Sequence, residues 1–225
     1  MTAPVVAIDG PSGAGKGTVA RTVAEALGYH LLDSGAVYRA AALHALRAGA
    51  DLGDEAGVLA ALEGLDVRFE PGASGVRVFF GEEEVSGELR TEATAAGASK
   101  VAVMPGVRAR LLPQQRSFRT APGLVADGRD MGTVVFPDAT LKVFLTASAE
   151  ERARRRAKQL KEKGIDATMA SLLEDIAERD RRDATRAHSP LVATADYLVV
   201  DSSDLPAKVV AARIVSALSG ASTGD

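Results

Sequence analysis

The stretch GPSGAGKGT, Gly10 to Thr18, follows the apolar run VVAID and decides the fold. It departs in one place from the phosphate-binding pattern G-x-x-x-x-G-K-[ST], because Gly17 stands where a hydroxyl would follow the lysine. The apolar run predicts a short buried strand over Val5 to Ile8, and apolar spacing predicts a helix over Lys16 to Leu27 that Gly28 ends. The sequence therefore predicts a phosphate-binding loop between a strand and a helix.

Apolar runs alternate with helical patterns along most of the chain, which favours an α/β fold with a parallel sheet. The region from Asp66 to Val85 instead alternates between apolar and polar residues across glycine-containing turns, which predicts a small antiparallel patch. Further strands are expected at Leu124 to Asp127, at Leu141 to Leu145 and at DYLVVD. The expected helices are one capped by Asp33 or Ser34 that runs to Gly49, and two between Glu88 and Phe118 that are separated at Pro105. They are followed by a basic helix ending at Gly164, another helix to about Asp183, and a final helix.

Composition excludes several classes of function. The 225 residues include no cysteine and three dispersed histidines, so disulfides, thiolate catalysis and a cysteine or histidine zinc site are not expected. The net charge of −3 and the 4% aromatic content do not favour a nucleic-acid surface. Without a signal peptide or an apolar stretch of about 20 residues, we expect a cytoplasmic protein.

The loop's glycines allow backbone N–H groups to face a phosphate chain, the helix N-terminus adds positive potential, and Lys16 can reach the terminal phosphates. The alternative is a glycine-rich turn that caps a helix and binds nothing. The Gly-Lys-Gly-Thr ending resembles nucleoside monophosphate kinases more than GTPases, and no guanine-reading N-K-x-D element is present. Thr18 is then expected near the phosphate or the magnesium shell.

Two further motifs carry polar side chains to places where a phosphate could bind. In LLDSGAVYR, Ser34 begins a helix and Arg39 follows about one and a half turns later, so both could face one acceptor phosphate. The alternative there is an ordinary capped helix with an exposed arginine.

In LVADGRDMGTVVFPDA, a strand ends at Asp127, and Arg129 and Asp130 emerge at the carboxyl edge of the sheet. The alternative is a surface ion pair of little energetic consequence.

Arginines are dense in ERARRRAKQLKEK and ERDRRDATR. Most charged helical faces are simply solvated, and a basic face can bind RNA, but acidic residues are interleaved here. Phosphoryl transfer explains this density of arginines better, since its transition state spreads negative charge over oxygens that arginines stabilise.

Five motifs in this order, GPSGAGKGT, LLDSGAVYR, ASKVA with Arg108 downstream, ADGRDMGTVVFPDA and ERDRRDATR, resemble the bacterial cytidylate kinases from about Val5 to Leu218. The resemblance implies a P-loop nucleoside monophosphate kinase fold with a five-stranded parallel core flanked by helices, a monophosphate-binding insert and a small lid. It implies a single domain over residues 1–225, with core subregions at 1–32, 104–148 and 186–225, a monophosphate-binding region at 33–103, and a lid with its adjoining helix at 149–185.

The resemblance also implies the roles of individual residues. ATP is assigned to the loop residues Gly10, Pro11, Ser12, Gly13, Ala14, Gly15, Lys16, Gly17 and Thr18. CMP is assigned to Ser34, Tyr38, Arg39, Ser99, Arg108, Arg129, Asp130, Arg179, Asp183 and Arg186. Lys16, Arg129, Arg179 and Arg156 are expected to be catalytic, Arg155 is a second lid candidate, and Thr18 and Asp127 are the candidates for a magnesium shell held largely through phosphates and water.

Within that set, Asp130, Arg108 and Ser99 resemble the residues that read the base. Cytosine presents an exocyclic amine that donates beside a ring nitrogen and a carbonyl that accept, which suits a carboxylate beside donors. Uracil would place a carbonyl oxygen against Asp130, and an unpaired buried carboxylate is costly. The expected activity is ATP-dependent, magnesium-assisted phosphorylation of CMP and dCMP.

Other functions remain open from the sequence alone. Another P-loop kinase could act on UMP or a different small acceptor, and a non-catalytic regulatory protein could bind ATP without an acceptor. An RNA-binding module is disfavoured by charge and by the few aromatic residues. We expect a monomer that acts on small-molecule substrates, with no nucleic-acid or membrane partner.

Overall fold

The computed structural model describes residues 2–72, 75–162, 164–186 and 189–221. In chain order the elements are β1 (Val5–Asp9), α1 (Lys16–Leu27), β2 (His30–Asp33), α2 (Ser34–Arg47), α3 (Glu55–Leu62), β3 (Val67–Gly72), β4 (Gly75–Phe80), β5 (Glu83–Glu84), α4 (Glu92–Val101), α5 (Pro105–Ser117), β6 (Leu124–Gly128), β7 (Leu141–Thr146), α6 (Ala149–Glu162), α7 (Met169–Thr185), β8 (Tyr197–Asp201) and α8 (Ala207–Ala221). Single helical turns at Glu88–Arg90 and Met131–Val135 complete the set.

A five-stranded sheet in the order β2-β6-β1-β7-β8 forms the centre of the fold. β1 pairs in parallel with β6 on one side and with β7 on the other, and β7 pairs in parallel with β8. Every residue of β1 and β6 is buried, as expected for parallel strands covered on both faces. The predicted α/β fold with a five-stranded parallel core is confirmed.

The chain divides into two compact units, and the first contains the residues up to Leu31 together with those from Arg119 onward. Its core lies where α1 and α8 pack on the sheet, with Val23, Leu145 and Ile214 fully buried. Helix α1 spans the predicted residues and ends at Gly28, whose φ of +66° is the left-handed conformation that glycine adopts without strain. Helices α6 and α7 pack on each other through the apolar residues Ala153, Leu160, Leu172 and Ile176.

The second unit runs from Leu32 to Phe118 and contains helices α2 to α5 and the small antiparallel sheet β3-β4-β5. Asp33, not Ser34, caps α2, since its Oδ1 accepts a hydrogen bond from the Ala36 N–H at 2.9 Å. Pro105 is the first residue of α5, as its position after α4 predicted. The antiparallel patch predicted over Asp66 to Val85 is confirmed.

The functional boundaries of the subregions at 1–32, 33–103, 104–148, 149–185 and 186–225 stay predictions. Residues 1, 73, 74, 163, 187, 188 and 222–225, which fall in four of these ranges, lie outside the described residues. Over the described ranges, no helix is both long enough and apolar enough to cross a membrane.

Candidate active site

The loop Gly10 to Thr18 joins β1 to α1, and its backbone conformation favours glycine at positions 10, 13 and 15, where φ is positive. A Cβ on Gly10 would lie 2.0 Å from the carbonyl oxygen of Leu145 in β7, so only glycine lets the chain leave the sheet there. Gly15 precedes the first residue of α1 with φ of +89°, in the left-handed region. The loop thus turns sharply onto a helix N-terminus, whose unpaired N–H groups favour an anion.

Lys16 is the first residue of α1, and its side chain is buried although it is a cation. Its Nζ donates to the carbonyl oxygen of Pro11 at 2.9 Å, which lays the side chain along the loop. Burial is the main cause that lowers the pKa of Lys16 to about 7; the positive charges of Arg129 and Arg179 lower it further, while Asp127 and Asp9 act in the opposite direction. A bound phosphate chain would supply the negative charge that favours the protonated amine.

Two arginines of α6 hold the outer side of this loop. Arg152 is buried and forms two hydrogen bonds to the carboxylate of Asp180 at 2.9 and 2.6 Å, and its Nη1 also donates to the Ser12 carbonyl at 3.2 Å. Arg155 donates to the Ala14 carbonyl at 3.2 Å and to the Ser202 carbonyl at 2.6 Å. Arg155, a lid candidate from the sequence, therefore contacts the loop backbone in this structure.

Replacing Arg152 with methionine is expected to raise the KM for ATP roughly tenfold, because a charged donor to the loop backbone is lost while the bulk of the side chain remains. The measurement is steady-state phosphoryl transfer with ATP varied. Arg154→Met is the matched control, since Arg154 lies on the same helix with 71% of its side chain exposed. An unchanged KM for ATP in Arg152→Met would contradict a role for Arg152 in holding the loop.

The glycine after Lys16 faces the carboxylate at the end of β6. A Cβ on Gly17 would lie 3.5 Å from Oδ2 of Asp127, an ordinary contact distance. Thr18 is one residue further, about 100° around the helix, and it is exposed. The glycine at position 17 therefore presents no side chain to Asp127, and the hydroxyl stands one residue further along α1.

Arg129 and Asp130 follow β6, and both are largely buried, so neither is a solvated surface residue. Arg129 Nε donates to Oδ2 of Asp183 at 2.7 Å, and both side chains are mostly buried. Asp130 is buried and precedes the turn Met131–Val135, and its carbonyl oxygen accepts from the N–H groups of Val134 and Val135. The structure thus brings Arg129, predicted to serve the phosphate, together with Asp183, predicted to lie near the sugar.

The other predicted arginines of the first unit lie on α6 and α7 or just after α7. Arg179 is close enough to Lys16 for its charge to lower the pKa of that amine. Arg156 and Arg186 are both partly buried. The individual roles assigned to these three arginines stay predictions.

The remaining predicted acceptor residues belong to the second unit. Ser34 is buried and its Oγ donates to Oε1 of Gln115 at 2.9 Å, while Arg39 pairs with Asp33 at 2.8 Å. The guanidinium of Arg108 lies over the Tyr38 ring, 5.9 Å from its centroid.

Ser99 lies on α4, where its Oγ donates to the Ala95 carbonyl one turn earlier. A phosphate at Arg39 would share this arginine with Asp33. The roles of Ser34, Tyr38, Arg39, Ser99 and Arg108 stay predictions.

Sequence reasoning missed several residues of this site. Asp9 is buried at the end of β1 and accepts from Tyr197, and Arg152 and Ser202 contact the loop backbone. The position of Asp9, an acid directly before the loop's first glycine, was a usable signal. Arg152 was not distinguishable in sequence from its exposed neighbour Arg154, and the distant Tyr197 and Ser202 gave no local signal.

The residues at this edge of the sheet offer few ligands to a metal. Among the described residues, no group of three or more His, Cys, Asp or Glu side chains is arranged to hold an ion. Asp127 and Thr18 nevertheless supply a carboxylate and a hydroxyl beside the loop. Such a donor set fits Mg²⁺, which keeps several waters and binds through one or two carboxylates together with substrate phosphates.

Comparison with known proteins places this geometry in a family. The family model described as "Cytidylate kinase" matches residues 6–219. The chain is 55% identical over 214 residues to a cytidylate kinase of Pseudomonas aeruginosa, covering 94% of this chain and 93% of the relative. It is 56% identical over 207 residues to a cytidylate kinase of Klebsiella pneumoniae, covering 91% of each chain.

A solved structure of an uncharacterised protein from Eubacterium ventriosum matches with a TM-score of 0.50 at 13% identity, covering 96% of this chain and 98% of the other, and supports the fold alone. With a lysine-bearing loop at a helix N-terminus, a carboxylate facing it and a family match over nearly its whole length, the chain belongs to the cytidylate kinase family.

Proposed function

We propose that this protein transfers the γ-phosphate of ATP to CMP and dCMP, giving CDP and dCDP. It is a phosphotransferase, as its family membership indicates. The observation that carries the proposal is the buried Lys16 amine at the N-terminus of α1, surrounded electrostatically by Arg129, Arg179, Asp9 and Asp127.

The loop and Lys16 bind the donor. Backbone N–H groups at the start of α1 and the Lys16 ammonium would stabilise the triphosphate, and Arg152 and Arg155 hold the loop carbonyls of Ser12 and Ala14 on the opposite side. The glycine loop is therefore fixed before a nucleotide binds. Pre-positioned donors need no reorganisation when negative charge develops, which is the main electrostatic contribution to such reactions.

Arg129 and Arg179 are the cations best placed to assist the transfer. Each lies near enough to Lys16 to lower its pKa, so all three positive charges share one region. Negative charge on the oxygens of the migrating phosphoryl group would offset the repulsion between these three cations. Asp183 holds the Nε of Arg129 and the Gly128 carbonyl accepts from its Nη1 at 3.2 Å, which fixes the guanidinium whose Nη2 would be directed towards a phosphate.

The acceptor requires no strong general base. A monophosphate oxygen is already largely anionic near neutral pH, so positioning supplies most of the rate enhancement. Mg²⁺, when bound with ATP, neutralises charge on the phosphates, and Asp127 and Thr18 are the side chains that would hold its shell. Closure of the α6–α7 region, the predicted lid, would exclude water as a competing acceptor.

The base is selected by Asp130 in this proposal. A buried carboxylate that accepts from the cytosine amine would be left facing a carbonyl oxygen with uracil. The acceptor preference therefore follows from one hydrogen bond whose direction the two bases reverse. Ser99 and Arg108 are proposed as the donors to the cytosine acceptors on the strength of the family resemblance.

A coupled assay of ADP formation tests the proposal directly, with ATP and Mg²⁺ constant and the acceptor varied among CMP, dCMP, UMP, AMP and GMP. CMP and dCMP should support turnover at much lower concentrations than the others. Reactions without acceptor measure any hydrolysis of ATP by water. Equal rates with and without CMP, or a clear preference for UMP or AMP, would overturn the assignment.

A further inference from the structure

Asp9 is a buried carboxylate that uses both of its oxygens. Oδ1 accepts from the N–H of Met131 at 2.8 Å, and Oδ2 accepts from the N–H of Gly132 at 2.9 Å and from the hydroxyl of Tyr197 at 2.7 Å. Burial raises the pKa of Asp9, whereas these three donors act to lower it. A carboxylate without solvent contact is tolerated only when its oxygens are satisfied in this way.

The two backbone donors belong to the turn Met131–Val135, which is wound as a single π-type turn. The Phe136 N–H closes it on the Met131 carbonyl at 2.7 Å. The first N–H groups of a helical turn have no partner within it, so they need an acceptor from elsewhere. Asp9 is that acceptor, and it therefore fixes the backbone at the residue directly after Asp130.

Tyr197 holds the same turn from the start of β8. Its hydroxyl lies so close to Gly132 that a Cβ there would stand 2.5 Å from it, so the turn and the phenol fit only with glycine at this position. The Tyr197 ring is buried and packs edge-on against Phe144 of β7, with centroids 6.2 Å apart. The hydroxyl is therefore held by its own packing as well as by Asp9.

We propose that Asp9 and Tyr197 are positioning residues for base selection, which set the place of Arg129 and Asp130 by holding the turn that follows them. The inference rests on the proposed function, in which Asp130 reads the base. Neither residue needs to contact the monophosphate for this role. Their effect should appear in the choice between acceptors, whereas a purely structural role would appear only in stability.

The test is Tyr197→Phe, which removes one hydroxyl and leaves the ring and both backbone hydrogen bonds to Asp9. The ratio of kcat/KM for CMP to kcat/KM for UMP is expected to fall about fivefold or more, through a higher KM for CMP, because a small displacement of the reading carboxylate weakens its hydrogen bond. The KM for ATP should stay within about twofold of the original protein, since the Lys16 contact with the loop is unchanged.

Tyr29→Phe is the matched control, because Tyr29 is a partly buried tyrosine of the same unit that packs against its hydrophobic core and is not bonded to Asp9. Thermal unfolding of both variants separates loss of stability from loss of selection. A CMP/UMP ratio unchanged in Tyr197→Phe, or lowered equally in Tyr29→Phe, overturns the inference. An original protein that does not phosphorylate CMP overturns the proposed function instead, so the two failures are distinguishable.

Discussion

Lys16→Met is expected to lower kcat with CMP and ATP by a factor of about 10³ or more, because in the proposed mechanism the ammonium is the charge that contacts the transferring phosphates most directly. The protein should still fold. Burial already disfavours the charged amine and lowers its pKa to about 7, so an apolar side chain of similar length loses little stabilisation in the free protein. Single-turnover kinetics with thermal unfolding in parallel would measure both effects.

Lys208→Met is the control for this variant, since Lys208 is exposed on α8 and takes no part in the proposed site. Its kcat should equal that of the original protein. Turnover of Lys16→Met within a few-fold of the original would remove the loop lysine from the mechanism. A large fall in unfolding temperature would mean that Lys16 also has a structural role, which its hydrogen bond to the Pro11 carbonyl does not by itself predict.

Asp130→Ala is expected to reduce the preference for CMP over UMP by about 10- to 100-fold, which corresponds to the roughly 1–3 kcal/mol of one reading hydrogen bond. The loss of kcat/KM should fall on CMP, because in the proposed complex cytosine, unlike uracil, presents an amine to the carboxylate. Asp130→Asn adds a sharper expectation. Its amide can donate to the uracil carbonyl, so the ratio of kcat/KM for UMP to kcat/KM for CMP should be higher than in Asp130→Ala.

The control for these variants is Asp138→Ala, since Asp138 is an exposed acid downstream in the same connection, with 63% of its side chain exposed. Its CMP/UMP ratio should not change. A ratio that Asp130→Ala leaves at the original value would exclude Asp130 from base recognition while leaving the donor site unaffected. Circular dichroism of each variant establishes that the compared proteins share one fold.

The secondary structure was largely predictable because its signals are local. Helix α1 begins at the loop lysine and ends at Gly28, as glycine and apolar spacing indicated, and Pro105 begins α5. The choice between Asp33 and Ser34 as the cap of α2 was open in the sequence, because both residues are good caps. The structure assigned the cap to Asp33 and gave the Ser34 hydroxyl a different, buried partner, Gln115.

The site was predictable only in part. The sequence singled out the loop, Asp127, Arg129 and Asp130 as candidates because each follows a strand or belongs to a recognisable motif, and their roles stay predictions. The roles of the arginines in α6 were not separable, since Arg152, Arg154 and Arg155 stand within four positions on one basic helix. Their environments differ: Arg152 is buried against Asp180, Arg154 is exposed, and Arg155 contacts Ser202.

By itself the sequence determined the phosphate loop, most of the strands and helices though not α3 (Glu55–Leu62), and the family resemblance from which the acceptor is inferred, because these depend on neighbouring residues and motif spacing. Only the tertiary structure decided which distant groups meet. Tyr197 and Asp9 are 188 residues apart in the chain and form one hydrogen bond, since β1 and β8 belong to one sheet with β7 between them. A buried carboxylate is stable only where the fold brings hydrogen-bond donors to it, and the sequence around Asp9 does not indicate that Tyr197 is one of them.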